Sequence, residues 1–340
     1  MQRISAAIVG LGNIGFLFDL DEKRSGTWSH ARAYSRCSDT ELIAAVEPDR
    51  EKAKLFAEHY PGVQVFASLD AMFAAMQPAL VSICTPTATH HPLLLDLVTR
   101  TGVRGVICEK PFAANTAQAR EMVQAAAEAK VTVAVNHTRR WTSAYIALAD
   151  AVQEGRIGRL VSLRAIYPGQ VRNIGSHLLD VLTMAAGRAP VAISGVEVPG
   201  GGDDPHIAGR IFYGEGLSAS FDVTGKRERL IFEVEAIGEE GRIVVQDNGR
   251  TLKYFRYAES PNYNGYLEPV AAELPLPEDG RDPLLDMICD TAAVLQGKHR
   301  APRCTGADGL ASMAMIEALL ASIRHDGATI PVNLTEKGNI

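Results

Sequence analysis

The sequence predicts an α/β fold in which a doubly wound parallel sheet is followed by a domain built on a mainly antiparallel sheet. Short, continuous apolar runs alternate with helical patterns over the first 137 residues, as in a parallel sheet with helices on both faces. The motif G-L-G-N-I-G at residues 10–15 follows the first apolar run. Beyond residue 137 the strand-like runs alternate polar and apolar residues over short connections, which is typical of antiparallel pairing.

The first domain is predicted to contain six strands. The apolar runs that predict them lie at residues 5–9, 42–46, 63–66, 80–84, 103–108 and 131–135. One helix is expected directly after the glycines. The other helical patterns lie at residues 50–60, 69–76, 92–101 and 116–130.

The second domain begins with a long helix at residues 141–154, a strand at 160–167 and a helix at 176–186. The strand-like runs that follow lie at residues 191–198, 206–213, 217–223, 229–237, 241–246 and 251–257. Two helices, at 282–296 and 308–325, end the pattern, and the glycine- and proline-rich stretches 199–205 and 258–283 are expected to be loops. The change of pattern near residue 137 predicts domains at residues 1–137 and 138–340.

Composition excludes several classes of function. A net charge of −6 argues against nucleic acid as the main partner, which would require a basic surface. No run of 18 or more apolar residues occurs, so no membrane span is expected. The five cysteines are scattered and form no C-x-x-C motif. This usage fits a reduced, cytoplasmic protein.

The glycine motif predicts a dinucleotide site, because it lies between a predicted strand and a predicted helix. Glycines permit a tight turn there and let the backbone approach a pyrophosphate at a helix N-terminus. The predicted cofactor contacts in this loop are Gly10, Gly12, Asn13, Ile14 and Gly15.

Glu47 ends the second predicted strand. A carboxylate at this position accepts hydrogen bonds from the adenosine ribose hydroxyls and repels a 2′-phosphate, so it favours NAD over NADP. It lies further from the glycines than the usual spacing of about 20 residues, because residues 16–30 form an insertion. A lid and a longer surface loop are equally consistent with this insertion.

The carboxyl ends of the later parallel strands supply the other predicted cofactor contacts, since ligands of open α/β sheets bind at that edge. These residues are Thr85, Pro86, Glu109, Lys110 and Asn136. The adjacent pair His90 and His91 does not predict a zinc site, because neighbouring helical residues point apart and no third ligand has a suitable spacing. No metal is expected.

With these motifs the chain resembles the glucose–fructose oxidoreductase / inositol dehydrogenase (Gfo/Idh/MocA) family. The resemblance rests on G-L-G-N-I-G, C-T-P-T-A-T-H-H, C-E-K-P-F-A, V-N-H-T-R-R-W and G-S-H-L-L-D-V-L, in that order along the chain. It implies a Rossmann domain followed by an α/β domain with an open antiparallel sheet, whose outer face forms a homodimer or homotetramer. It also implies an NAD(P)-dependent dehydrogenase or reductase of sugars, polyols or sugar derivatives.

The resemblance also implies the catalytic residues. The lysine of E-K-P, here Lys110, stands beside the reacting hydroxyl, and the histidine of a D-x-x-x-H helix motif, here His177, acts as general acid and base. The aspartate position of that motif is Asn173. Asparagine can bond a sugar hydroxyl but does not ionise, so a Lys110/His177 pair is what this chain retains.

Arg164, Tyr167 and Arg172 precede His177 and are further candidate substrate residues. Together with Asn173, they leave open a nucleotide-sugar or acidic-sugar dehydrogenase. The lost aspartate also leaves open a regulator that binds the cofactor without turnover. The favoured prediction is an NAD-dependent oxidoreductase acting on a sugar, polyol or sugar derivative.

Overall fold

The computed structural model describes residues 3–278 and 280–334. The chain forms two compact units. One unit extends to Trp141 and also contains Asp282–Leu310, whereas the other contains Thr142–Arg281 and resumes at Ala311.

The first unit is built on a six-stranded parallel sheet. Its strands are β1 (Ile4–Val9), β2 (Thr40–Val46), β3 (Gln64–Phe66), β4 (Leu80–Ile83), β5 (Gly105–Cys108) and β6 (Thr132–Val135). Their order is β3-β2-β1-β4-β5-β6, so the direction of winding reverses between β1 and β4. This reversal creates the crevice at which open α/β sheets bind ligands.

Helices cover this sheet, and β4 and β5 are buried along their whole length. The helices are α1 (His30–Arg36), α2 (Arg50–His59), α3 (Leu69–Ala75), α4 (His90–Leu97) and α5 (Thr116–Ala129). Four of them begin where a side chain accepts a hydrogen bond from a backbone N–H of the first turn. These capping residues are Ser29, Asp49, Ser68 and Asn115.

The second unit contains a nine-stranded, mainly antiparallel sheet. Its strands are β7 (Leu160–Tyr167), β8 (Ala192–Val198), β9 (His206–Gly214), β10 (Leu217–Val223), β11 (Glu233–Gly238), β12 (Gly241–Gln246), β13 (Thr251–Glu259), β14 (Leu267–Ala272) and β15 (Ile330–Pro331). Their order is β14-β13-β12-β11-β7-β10-β9-β8-β15, and β7 pairs in parallel with β10. The predicted fold class is therefore confirmed in both parts.

One face of this sheet is covered and the other is open. The helices α6 (Ser143–Gln153) and α7 (Ser176–Ala186) pack together, and α7 contacts β7. Along β7, Leu163, Ala165 and Tyr167 are buried, whereas the intervening Arg164 is exposed. Period-two alternation thus separates a core face from an open face.

The helices α8 (Pro283–Leu295) and α9 (Gly306–Arg324) complete the described helices. By length and composition α9 resembles a membrane-spanning helix, with a mean hydropathy of 1.3, but 61% of that window is buried inside the protein. Buried core helices of soluble proteins share this composition, so α9 is weak evidence for a membrane span.

Two predictions about chain organisation need correction. Residues Asp282–Leu310 belong to the first unit, so a single boundary near residue 137 misplaces α8. Asp282 accepts hydrogen bonds from Thr27 and Arg36 at 2.7 and 2.6 Å, and α8 packs against α1. The predicted loop 258–283 also contains β14, an edge strand with so little burial that it leaves no apolar pattern.

Candidate cofactor and catalytic site

The glycine loop at the end of β1 fits the close approach of a ligand. Gly10 has φ of +93°, and a Cβ there would lie 2.8 Å from Thr85 Cγ2. A Cβ on Gly15 would lie against the Gly10 carbonyl oxygen, whereas a Cβ on Gly12 would meet nothing within 4 Å. Gly10 and Gly15 are therefore required by the fold itself, and the space at Gly12 is open for a ligand.

The loop also offers hydrogen-bond donors. Among the described residues, the Gly12 and Asn13 N–H groups have no hydrogen-bond acceptor. Ile14 and Gly15 use their carbonyl groups to accept the first N–H groups of α1, from His30 at 2.9 Å and Ala31 at 3.1 Å. Free N–H groups in a glycine loop are the feature that binds a pyrophosphate. The residues present thus fit a dinucleotide.

Glu47 lies directly beside this loop. It is buried, and its Oε2 accepts a hydrogen bond from the Leu11 N–H at 2.8 Å while its Oε1 accepts one from the Asp49 N–H at 3.0 Å. Both contacts hold the carboxylate in a fixed orientation at the carboxyl end of β2. Glu47 therefore lies next to the glycine loop, as predicted, although the insertion separates the two in sequence.

The insertion at residues 16–30 is fastened within its own unit. A 3₁₀ turn at Leu17–Leu20 is followed by a loop, and side chains of both segments make contacts within the first unit. Ser29 and Tyr60 donate hydrogen bonds to Asp19 at 2.6 and 2.7 Å, and Arg24 stacks on the Phe18 ring. These contacts favour an ordered surface loop over a lid. Because of this insertion, the helix expected directly after the glycines begins only at His30.

The segment after β4 brings Thr85 and Pro86 to the same edge of the sheet. The Thr85 hydroxyl accepts a hydrogen bond from Thr89 at 2.7 Å. The ring nitrogens of the buried His90 lie 2.9 Å from the Thr85 carbonyl and 3.0 Å from the Pro111 carbonyl. His90 therefore connects the segments that follow β4 and β5, a structural role that the sequence pattern did not reveal.

Glu109, Lys110 and Asn136 lie together where β5 and β6 end. Asn136 donates a hydrogen bond from Nδ2 to Glu109 Oε1, and the same oxygen accepts one from His30 Nε2 at 2.9 Å. The Lys110 N–H contacts Glu109 Oε2 at 3.3 Å. The Lys110–Pro111 peptide bond is cis. His30 thus joins the site from the first turn of α1, a contact over 79 positions that no motif predicted.

Glu109 remains ionised in this environment. Burial would raise the pKa of its carboxyl group, but the hydrogen bond and charge of His30, the hydrogen bond from Asn136 and the charge of Lys110 hold that pKa below its usual value. Burial raises the pKa of the Cys84 and Cys108 thiols well above the usual value. Thiolate chemistry is therefore not supported at this edge.

In the second unit, the structure places His177 at the start of α7. A π-helical turn at Val171–Gly175 runs directly into this helix, so Asn173 lies one turn before His177. The His177 and Asp180 side chains are buried. Lys110 belongs to the first unit and His177 to the second, and their joint role stays a prediction.

Three candidate substrate residues have other roles in the second unit. Tyr167 is fully buried, and its hydroxyl donates to the Ile207 carbonyl at 2.8 Å, so it is a core residue. Arg164 lies on the open face of the sheet, opposite the face that α7 contacts, and is separated from His177. Arg172 pairs with Asp204 at 3.7 Å, and its N–H contacts the same carboxylate at 3.0 Å. The prediction that these residues bind substrate therefore needs correction for Tyr167 and Arg164.

Across residues 3–278 and 280–334, no group of three or more His, Cys, Asp or Glu side chains is arranged to hold a metal ion. The two histidines predicted not to form a zinc site point to different partners, His90 to backbone carbonyls and His91 to Glu121 at 2.8 Å.

Comparison with known proteins agrees with this geometry. Residues 4–137 match the family described as "Oxidoreductase family, NAD-binding Rossmann fold", Gfo/Idh/MocA. D-apiose dehydrogenase of Paraburkholderia graminis is 28% identical, over 99% of this chain and 92% of that protein. Inositol 2-dehydrogenase of Rhizobium meliloti is 25% identical, over 86% and 92% respectively.

The fold is also found in solved structures. An oxidoreductase from Agrobacterium radiobacter, solved in complex with NAD+, L-tartaric acid and magnesium, aligns with a TM-score of 0.79 at 18% identity, covering 97% of this chain and 99% of that one. Residues 4–137, which hold the glycine loop, the carboxylate after β2 and the E-K-P segment after β5, belong to the NAD-binding Rossmann fold of the Gfo/Idh/MocA oxidoreductase family.

Proposed function

We propose that the protein is an NAD-dependent oxidoreductase that transfers a hydride between the nicotinamide cofactor and a secondary hydroxyl or keto group of a sugar, polyol or sugar derivative. One observation carries the proposal. The open glycine loop, the buried Glu47 and the Glu109–Lys110 segment all lie at the carboxyl edge of one parallel sheet, where such sheets bind dinucleotides.

The proposed preference for NAD rests on Glu47. Its carboxylate is held by two backbone N–H groups, so it cannot turn away from a ligand without losing both hydrogen bonds. A fixed negative charge at the end of β2 repels the 2′-phosphate of NADP and leaves room for ribose hydroxyls. Arg50, one helical turn further on, is exposed and does not neutralise this carboxylate through any described contact.

The proposed chemistry requires one proton acceptor and one stabilising positive charge. The bound cofactor supplies the hydride acceptor or donor. His177 is proposed to take the hydroxyl proton, since a positioned imidazole is the usual general base near neutral pH. Lys110 is proposed to stabilise the developing alkoxide, because an ammonium group favours a neighbouring negative charge.

The relatives and the positions of two arginines support the proposed substrate class. D-apiose dehydrogenase and inositol 2-dehydrogenase are named for polyhydroxylated substrates, which supports a neutral sugar or polyol here. An acidic or nucleotide-linked sugar has less support, because Arg164 lies on the open face and Arg172 already pairs with Asp204. The Asn173 replacement is the observation that favours a regulator without turnover.

The open face of the second sheet is the proposed site of self-association into a homodimer or homotetramer. Arg242 pairs there with Glu235 at 3.1 Å and lies over the Phe255 ring at 4.9 Å. Arg164 stands opposite Glu235 on the neighbouring strand. This mixture of charge and aromatic surface suits a symmetric interface, in which each copy presents the same patch to the other.

The test is cofactor reduction by the purified protein with NAD or NADP over neutral aldoses, polyols, uronic acids and nucleotide sugars. Turnover with one class, lost in Lys110→Ala but kept in the exposed control Lys54→Ala, would support the proposal. Tight NADH binding without turnover on any compound would favour the regulator. Failure of the wild-type protein to bind either cofactor would refute both.

A further inference from the structure

A chain of buried polar side chains lies behind the E-K-P segment. The Tyr34 hydroxyl contacts Ser82 Oγ at 2.7 Å, Ser82 Oγ contacts His30 Nδ1 at 2.9 Å, and His30 Nε2 contacts Glu109 Oε1 at 2.9 Å. All four residues are buried. They come from α1, β4 and the end of β5, so the chain crosses the middle of the first unit.

The hydrogen bonds in this chain lead to the carboxylate of Glu109. A carboxylate only accepts, so His30 Nε2 carries the hydrogen shared with Glu109. Burial raises the pKa of Tyr34, so its hydroxyl keeps its proton and can donate to Ser82 Oγ. Ser82 Oγ lies between the Tyr34 hydroxyl and His30 Nδ1, at 2.7 and 2.9 Å, and links the two groups. The chain of hydrogen bonds ends at the Glu109 carboxylate.

This arrangement stabilises the negative charge of Glu109 through hydrogen-bond donors. Asn136 adds another donor to the same oxygen, and donors to an ionised group are stronger than those between neutral groups. Only 7% of Glu109 is exposed, so water screens its charge weakly. The chain therefore holds the ionised Glu109 carboxylate in a fixed position at the carboxyl end of β5.

The same histidine is tied to the dinucleotide loop. The His30 N–H donates to the Ile14 carbonyl at 2.9 Å, and the following Ala31 N–H donates to the Gly15 carbonyl. The backbone of His30 thus belongs to the glycine loop while its ring belongs to Glu109. Loop and carboxylate are held in one rigid arrangement.

We propose that Tyr34, Ser82 and His30 keep Glu109 ionised and oriented so that its carboxylate favours the oxidised nicotinamide, which carries a positive charge, over the neutral reduced form. Glu109 acts on the cofactor directly, and His30 is a positioning residue that acts through Glu109. The inference rests on the proposed function, because it requires a nicotinamide dinucleotide in the first unit. Beyond that function, it predicts which redox form of the cofactor the protein binds more tightly, and family membership alone does not predict this.

The experiment measures the dissociation constants of NAD+ and NADH separately, by calorimetry or fluorescence, without any substrate. Glu109→Gln keeps the shape of the side chain and removes its charge. We expect it to weaken NAD+ binding by about tenfold and NADH binding by less than about twofold, which moves the potential of the bound couple by about 30 mV in the positive direction. His91→Gln is the matched control, because His91 and Glu121 form a similar pair on the surface, and neither constant should change.

The role of His30 is tested through pH. His30→Phe removes a donor from the carboxylate, so the pKa that governs NAD+ affinity should rise, and the preference for NAD+ should weaken at a higher pH than in the wild type as pH falls. His30→Gln, which restores an N–H donor, should recover most of that preference. If His30→Phe does not fold, Ser82→Ala tests the same chain, since it removes the hydroxyl that holds His30 Nδ1 and should shift the pH profile in the same direction.

The outcomes separate the two levels of the proposal. Equal effects of Glu109→Gln on NAD+ and NADH, or none on either, would overturn the inference and leave the proposed function intact. A flat pH profile in both His30→Phe and Ser82→Ala would remove the positioning role. A wild-type protein that binds neither form of the cofactor would overturn the proposed function together with the inference.

Discussion

A methyl group at Gly12 should impair cofactor binding without disturbing the fold. In the free protein, a Cβ at this position would meet nothing within 4 Å, and the residue does not have positive φ. Gly12→Ala should therefore leave the free energy of unfolding unchanged or raise it by about 0.4–1 kcal/mol, because alanine restricts the unfolded chain. The space that the methyl group fills is the space through which the loop N–H groups reach a pyrophosphate.

The size of the binding loss follows from those hydrogen bonds. A hydrogen bond from a backbone N–H to a charged group contributes about 1.5–3 kcal/mol. Loss of one such bond should raise the dissociation constant of NAD by about 10- to 150-fold. Thermal unfolding and calorimetric titration of the same sample would measure both quantities.

Gly62→Ala provides the matched control. Gly62 is exposed, lies in the first unit away from the loop, and a Cβ there also meets nothing within 4 Å. Both variants should therefore be at least as stable as the wild type, and only Gly12→Ala should bind NAD weakly. Normal NAD affinity in Gly12→Ala would refute the placement of the dinucleotide at this loop.

Four further predictions concern separate parts of the molecule. Glu47→Ala should reduce the preference for NAD over NADP by about tenfold or more, because it removes the charge that repels the 2′-phosphate; unchanged discrimination in binding titrations would contradict this role. His177→Ala should lower kcat by about 10²- to 10⁴-fold, and a loss below about threefold would refute its role as general base. Because the pKa of Glu109 lies below its usual value, its ionisation stabilises the fold above about pH 4.5 and loses this effect as pH falls through the lowered pKa; the stability of the wild type relative to Glu109→Gln should therefore decline on acidification, as measured by denaturant unfolding at several pH values. Arg242→Glu should reduce the mass measured by light scattering if the open sheet face joins copies of the chain, whereas Arg188→Glu, at a surface pair with Glu215, should not.

Much of the fold follows from local periodicity. The central strands β4 and β5 are buried along their whole length, so each appears as a continuous apolar run bounded by turn residues. The strand Leu160–Tyr167 and the helix Ser176–Ala186 begin and end at the predicted residues. By contrast, β14 is an exposed edge strand, and its sequence carries no apolar alternation to detect.

Long-range contacts limit what the sequence predicts about the site. His30 reaches Glu109 across 79 positions, and Asp282 reaches Thr27 across 255, so neither pairing leaves a local pattern. The return of α8 to the first unit escaped prediction for the same reason. A helix that packs against an earlier domain has the same kind of amphipathic sequence as a helix that packs against its own domain.

The alternation of residues along β7 is sufficient to predict which face of the sheet carries Tyr167 and which carries Arg164. Tyr167 shares its parity with Leu163 and Ala165, which predicts the core face, and Arg164 has the opposite parity. Both residues lie close to His177 along the chain, but this proximity does not place them near its side chain. Strand parity is therefore the better guide to which polar side chains of this sheet can approach a ligand.

Deuterium transfer from reduced cofactor is the most direct test of the proposed reaction. NADH labelled with deuterium on either face of the nicotinamide C4 would be incubated with the protein and a set of keto sugars and ketopolyols, and the products analysed by mass spectrometry. The proposed function predicts that a compound of this class gains one non-exchangeable deuterium at its carbinol carbon, from one face of the cofactor only, and that Lys110→Ala abolishes the gain. Tight binding of NADH with no deuterium in any product would contradict it.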